Sequence, residues 1–401
     1  MTNVQPETHP GLFIVPAEDK SRTSVELKLG ERTVSSVQIL HYTLNIGAAK
    51  VRMDGIGGVG TDEAFRNRGY SRLALEAAIK VMIEGDASLS MLYGIRDFYP
   101  KFGYATAGPD HLALLTDLKS NASLPDGWTS RPFETEDLPA IQAIYARNTE
   151  REIGSAARSN EGGVWAKLLQ AADGTKQDFC RVVVDGKGAV AGYVWRAKWC
   201  WYVKYKLESD YPNALVLGEA MATCPQSADA VLAICRQWAQ EEAVEREVGQ
   251  VVLALPPESL LAAAAMRQDA RLIRNFSACG GSMARVLNTN RLLLSLIPEL
   301  EARLRKSKST FIGSLFIKTD LDEITLQIAG DQVAILEGVS SSSNALQLHL
   351  PQWELARLAL GAFTPEDILA RLHEPPTEAV YQLIQTLFPV RNPHMHLPDR
   401  Y

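Results

Sequence analysis

Between Thr23 and Thr61 apolar and polar residues alternate in short runs, Val25-Glu26-Leu27-Lys28-Leu29 and Val34-Ser35-Ser36-Val37-Gln38-Ile39-Leu40. Alternation with period two predicts antiparallel strands, and Gly30-Glu31 between the runs predicts their hairpin turn. Another strand is expected near Ala49 to Gly58, then a helix over Ser71 to Glu84 and a strand over Ser88 to Ile95. Strands around Gly103 to Thr116 close this unit, and Ser120 to Gly127, ending in Pro125-Asp126-Gly127, reads as a linker.

A new start follows. Ser130 to Phe133 predicts a strand, Thr135 an N-cap with Asp137 in the first turn, and Leu138 to Asn148 a helix. Phe179 to Val184 and Ala189 to Arg196 predict a hairpin, with a further strand over Ala214 to Ala222. Trp195, Trp199, Trp201, Tyr202 and Tyr205 invite an aromatic-box reading, but core or interface packing of that hairpin is the commoner use of such residues. A third unit opens near Thr289, where an apolar-faced helix over Arg291 to Leu304 is expected to break at Pro298. Strands over Gly313 to Thr319, Glu323 to Ala329, Gln332 to Glu337 and Gln347 to Leu350 follow, with Ser340 to Asn344 as a turn. Helices are expected over Gln352 to Leu360, Pro365 to Leu372 and Thr377 to Phe388. The fold class is therefore α+β (mixed α/β), divided into an N-terminal segment 1–22 and units 23–126, 127–288 and 289–401.

The 401 residues, 46% of them hydrophobic, suffice for two or three domains with their own cores. A formal charge of −6 argues against a general nucleic-acid binder. Five cysteines at wide spacings, with no paired motif and no histidine cluster nearby, indicate neither a disulfide framework nor a zinc site, and no metal is expected. Met1 to Asp19 lacks a leader pattern and no run has the length of a membrane span, so a cytoplasmic protein is expected.

Arg66-Asn67-Arg68-Gly69-Tyr70-Ser71 carries the most chemical information. A turn with arginines and a glycine, feeding directly into a helix, aims free N–H groups and the positive helix end at one point, which suits a pyrophosphate. Gly55, Gly57 and Gly60 also fit the Gly-x-Gly-x-x-Gly dinucleotide fingerprint. That reading fails, because Gly60 is followed by Thr61-Asp62-Glu63-Ala64-Phe65 and the helical pattern begins only after Gly69. The turn instead resembles the signature of the GCN5-related N-acetyltransferases (GNATs), and Leu92 to Tyr104, containing Phe98-Tyr99-Pro100-Lys101-Phe102-Gly103-Tyr104, agrees. The resemblance implies acetyl-CoA as co-substrate, held by Arg66 to Ser71 and by main-chain groups of Val59, Gly60 and Thr61, with Tyr99 facing the thioester.

The second unit's equivalent turn, Thr223-Cys224-Pro225-Gln226-Ser227-Ala228-Asp229, has neither arginine nor glycine. It is expected not to bind the coenzyme. Two tandem GNAT-like domains, the second degenerate, followed by a small third domain, resemble the enhanced intracellular survival (Eis) family over nearly the whole chain. That resemblance implies a sterol-carrier-like third domain, a homo-oligomer, and a terminal carboxylate, here that of Tyr401, reaching into the first active site. It also implies an acetyl acceptor that is a primary amine of an aminoglycoside-like or polyamine-like molecule, or a lysine. One departure stands out: a GNAT domain has a first strand and two helices before its hairpin, and Met1 to Arg22 is too short and too polar to supply them. Either the acceptor pocket is open, or another domain or subunit fills the gap, or the protein binds its ligand without catalysis, as an acyl-CoA or apolar-ligand carrier.

Tyr99 is the expected acid. A phenol of pKa about 10 donating to a thiolate of conjugate pKa about 8.5 runs uphill by about 2 kcal/mol, so hydrogen-bond donation to developing charge is its main role. For the base, a C-terminal carboxylate (about 3.5) and an alkylammonium (about 10.4) differ by about 9 kcal/mol, so Tyr401 would take the proton after attack or attract a cationic amine. His394 and His396, in a proline-bounded tail, read as surface residues.

Overall fold

The computed structural model describes residues 9–173, 179–337 and 345–401. Met1 to Thr8 and the turn expected over Ser340 to Asn344 lie outside these residues.

The alternating runs form β1 (Gly11–Pro16), β2 (Arg22–Leu29), β3 (Arg32–Ile46) and β4 (Ala49–Thr61), followed by α1 (Tyr70–Glu84) and β5 (Leu89–Ile95). Neighbours are antiparallel except β4 and β5, which run parallel. Parallel pairing of successive strands needs a crossover, and α1 is that crossover. Its Ala74, Leu75, Ala78, Ile79 and Met82 recur at helical spacing and pack on Val25, Val37, Ile39, Ile56 and Leu92 of the sheet.

The first strand that Met1 to Arg22 was expected to lack is present as β1. It escapes sequence detection because neither face is buried: Leu12, Phe13, Ile14 and Val15 are all about half exposed, so nothing selects alternation. The two helices are absent, since Pro16 leads to Arg22 through a short turn closed by the Ala17 N–H donating to the Arg22 carbonyl.

The linear division into units is crossed at the level of strands. β6 (Ala105–Gly108) forms one edge of the first sheet, but the strand between β5 and β6 is Cys279–Val286, from beyond the second unit. Conversely β7 (Asp110–Leu115) leaves the first unit to pair with Gln250–Ala254 and Arg271–Asn275. Ile153–Ala156 pairs with β3. Boundaries at 126 and 288 follow the linker composition, whereas the sheets follow long-range pairings that periodicity does not encode.

The helix Thr289–Ser307 runs on through Pro298, where a break was expected. A mid-helix proline costs about 3 kcal/mol. Leu292, Leu293, Leu296, Leu300 and Leu304, all essentially buried, outweigh it at about 2 kcal/mol each. These leucines share one core with Leu44, Met53 and Met91 of the first sheet and with Leu315, Leu326 and Leu355 of the third unit. The third unit therefore packs on the sheet face opposite α1. Its strands are ordered Gln332–Glu337, Glu323–Ala329, Ile312–Lys318, Leu346–His349.

Candidate active site

The residues singled out in the turn converge on one helix end. Asp62 caps the short helical turn Glu63–Phe65, and the Arg32 guanidinium holds Asp62 at 2.5 Å, keeping its carboxyl below the usual range. Arg32 and Arg68 stack over Phe65 at 4.9 and 5.1 Å, so their charges stand outward from an ordered surface. Arg66 and Arg68 are exposed. Gly69 takes the N-cap of α1 at φ +80°, a conformation that costs a residue with a β-carbon about 1 kcal/mol, and no side chain caps the helix. The first N–H groups of α1, from Tyr70 and Ser71 onward, are open to a ligand, with nothing within 4 Å of the space above Gly69.

Beside this end the sheet divides. β4 pairs with β5 from Met53–Leu89 as far as Ile56–Leu92, and there the parallel ladder stops although both strands continue. A bulge at Gly58 and Val59, where Gln38 faces Gly57 and Ser36 faces Gly60, turns the end of β4. The main chain of Val59, Gly60 and Thr61 thus presents polar groups to a gap that no strand fills.

Tyr99 opens the short helical turn Tyr99–Phe102 and packs on Gly94, beside Leu92, Phe98 and Tyr104. Leu92 and Gly94 point to the α1 face, so Tyr99 stands on the α1 side of the gap. Burial pushes its phenol above the ordinary value of 10. Tyr104, behind it, shares a 2.7 Å hydrogen bond with Ser90.

The tail arrives from the opposite face. Pro393 to Arg400 are buried, so His394 and His396, expected at the surface, are enclosed at 2% and 3% exposure. The error came from composition: a short polar, proline-bounded segment reads as solvated, but here other units surround it. Asp399 accepts from Arg158, which also holds Glu219, and Arg400 donates to Asp110 at 2.6 Å while lying over the rings of Tyr93 and Tyr202. Charges so buried are held only because each is paired and hydrogen-bonded. Tyr401 then lays its ring against Gly55 and Gly57, stacks on Tyr42 at 5.5 Å, and donates its hydroxyl to the Met91 carbonyl at 3.0 Å. No contact joins Tyr401 to Tyr99 among the described residues; Met91 and Tyr93 on one face, Leu92 and Gly94 on the other, separate them. Sequence reasoning missed Tyr42, Arg158 and Asp110, whose positions depend wholly on the tail's path.

The second unit's turn differs in the atoms that matter. There the helix Pro225–Glu242 is capped from within: the Ser227 hydroxyl accepts from the N–H groups of Thr223 and Cys224, and the Cys224 sulfur accepts from the Ser227 N–H. Its strand end at Ala220–Ala222, with Pro256 and the start of the helix Leu260–Arg267, leaves a cavity of only about 10 Å³. A larger cavity of about 380 Å³, lined by Asn45, Lys50, Tyr145, Arg158 and Trp165, lies by the β3–β4 hairpin, at the far end of these strands from Gly69.

Residues 13–107 match the family model described as Acetyltransferase (GNAT) domain. No curated protein matches the chain. Among solved structures, a GCN5-related N-acetyltransferase from Anabaena variabilis is similar with a TM-score of 0.67 at 17% identity, over 94% of this chain and 89% of that one. One from Kribbella flavida gives 0.65 at 18%, over 94% and 87%, and Eis1 from Mycobacterium abscessus gives 0.59 at 14%, over 94% and 90%. At such identities the likeness is one of fold, and it extends over all three units. No helix among the described residues is long and apolar enough to cross a membrane. Residues 13–107 thus form an acetyltransferase domain of the GNAT type, set in a chain that shares its fold with these structures over nearly its whole length.

Proposed function

We propose that this chain transfers the acetyl group of acetyl-CoA directly to a primary amine borne by a small cationic molecule or a lysine side chain. One observation carries the reading: the uncapped N-terminus of α1 at Gly69 lies beside the gap where β4 and β5 part. The N–H groups of Tyr70 and Ser71, flanked by Arg66 and Arg68, would hold the pyrophosphate. Main-chain groups of Val59 to Thr61 would hold the pantetheine arm and polarise the thioester carbonyl. Tyr99 donates a hydrogen bond to the leaving sulfur; its raised pKa makes full proton transfer still more uphill. The Tyr401 carboxylate, on the other face, draws the ammonium in; the amine attacks after giving one proton to solvent, and the carboxylate accepts the second proton from the nitrogen as the thiolate leaves.

The absent helices favour one competitor, a protein that binds the coenzyme without turnover. Thiol release from acetyl-CoA, measured with and without amines, separates the two. Amine-dependent release is expected. Saturable acetyl-CoA binding in calorimetry with no amine-dependent release would leave the binding protein.

A further inference from the structure

The end of the chain is held from the second unit as well as from the first. Ile153–Ala156 joins β3 at Leu44 and Ile46, and the Ala157 N–H donates to the Thr43 carbonyl at 2.7 Å, so this stretch extends the first sheet. Arg158 comes next. Its guanidinium carbon stands 3.8 Å from the Tyr145 ring centre and 4.8 Å from that of Trp165, and the two rings fix the plane of the fork. Nε donates to both Asp399 oxygens at 3.0 and 3.2 Å. One terminal nitrogen donates to Asp399 at 2.8 Å and to Glu219 at 2.5 Å, and the other to Glu219 at 3.1 Å.

Asp399 is thereby a joint between the units. Its side chain is held by Arg158, while its main-chain carbonyl accepts from the Tyr42 hydroxyl at 3.0 Å, and the Tyr42 ring stacks on Tyr401. Tyr401 lies two residues on, within about 7 Å of extended chain, so a displaced Asp399 displaces the chain end. Glu219, fully buried on the strand Glu219–Ala222, takes the other side of the fork and also accepts from the Tyr193 hydroxyl at 2.8 Å. Without the guanidinium, two buried carboxylates would face each other unpaired, and Asp399, on the free end of the chain, is the one able to leave. A route for water is already there: Arg158 lines the cavity of about 380 Å³ by the β3–β4 hairpin, together with Tyr145 and Trp165.

We infer that Arg158 is a positioning residue for acetyl transfer: by holding Asp399 it holds the chain end and sets where the Tyr401 carboxylate meets the amine. The second unit, whose own helix end is capped from within, serves the reaction as the holder of that end. This rests on the acetyl-transfer reading above, and it gives the carboxylate a support outside the first unit. Lysine is no substitute, since an ammonium has no planar fork with which to hold both carboxylates bidentately.

The test is Arg158→Ala in the full-length protein, which opens a guanidinium-sized hole to the cavity. Amine kcat/KM should fall by about tenfold or more while the acetyl-CoA KM stays within about twofold. Millimolar guanidinium, entering by the cavity, should restore part of the loss where the same concentration of urea does not. Unchanged amine kinetics, or a loss shared equally by amine and coenzyme that guanidinium leaves alone, overturns the inference. Should the alanine protein fail to fold, Asp399→Asn decides in its place: the same split upholds the inference and unchanged amine kinetics overturns it. The hold on the chain end is read apart from turnover by carboxypeptidase digestion followed by mass spectrometry. Pro393 to Arg400 are buried, so wild-type Tyr401 should be protected, and Arg158→Ala should lose it about tenfold faster or more. If deleting Tyr401 leaves amine turnover unchanged, or no amine is turned over, the catalytic reading fails by itself and the digestion decides the hold: faster release from the variant upholds it, and equal release overturns it.

Discussion

The ring of Tyr401 occupies the space that a β-carbon on Gly55 would need. The last residue of the chain is thus seated by a glycine in the middle of β4, one residue before the β4–β5 ladder ends. Glycine is required there by close approach, not by backbone conformation.

Gly55→Ala should therefore reproduce deletion of Tyr401. Both variants are expected to lower amine kcat/KM by about tenfold or more while acetyl-CoA binding stays within twofold, because the proposed coenzyme site lies across the sheet. Both should also lose about 2 kcal/mol in urea unfolding through the displaced ring. Steady-state kinetics, calorimetry and denaturation read these out, and a Gly55→Ala protein with wild-type kinetics would detach the tail from the reaction.

Gly69→Val should weaken the coenzyme without touching the amine. A β-branched residue at φ +80° is strained by about 1–2 kcal/mol and places methyl groups over the open N–H groups of α1. Acetyl-CoA Kd should rise about tenfold by calorimetry, whereas Ser227→Ala in the second unit should leave it where it was, since that helix end is already closed.

Tyr99→Phe keeps the packing on Gly94 and removes only the donor. A fall in kcat on the order of 10²-fold, with the acetyl-CoA KM within twofold, is expected from steady-state rates. Activity equal to wild type would make Tyr99 a wall of the pocket.

Stability should fall as the pH drops below about 6.5. Burial, with Arg274 nearby, brings His111 down to about 4, and burial holds His394 well below its ordinary value, so the folded protein keeps both neutral. The unfolded chain takes up those protons through about pH 6.5, so the stabilisation is complete above that value and drains away below it, by at least about 2 kcal/mol at pH 4.5. His396 runs the other way: burial would lower it, but Glu152 at 3.0 Å outweighs burial and raises it. Its contribution is present below 6.5 and is lost as the pH rises through the raised value. Urea unfolding between pH 7.5 and 4.5 should show the net loss, and His111→Gln should flatten it.

What the sequence disclosed was local. The helix start after the Arg66 to Gly69 turn and the Tyr99 turn were readable as local structure because each is written in adjacent residues. β1 was not, since a strand with both faces open carries no alternation, and neither was the burial of His394 and His396, which other units impose. Trp201 and Tyr205, read as packing residues, are instead exposed at and just before the helical turn Tyr202–Leu207.

The strand Cys279–Val286, lodged between β5 and β6, gives the molecule a history. Ile95 meets Cys279 and Leu89 meets Val286, so during synthesis one rim of the β4–β5 gap waits for a partner made after the entire second unit. A ribosome-bound chain ending near the linker would hold α1 and its turn but not a finished cleft. Competence for the coenzyme should arise late and all at once, and a cut between the first two units would dismantle the site instead of freeing it.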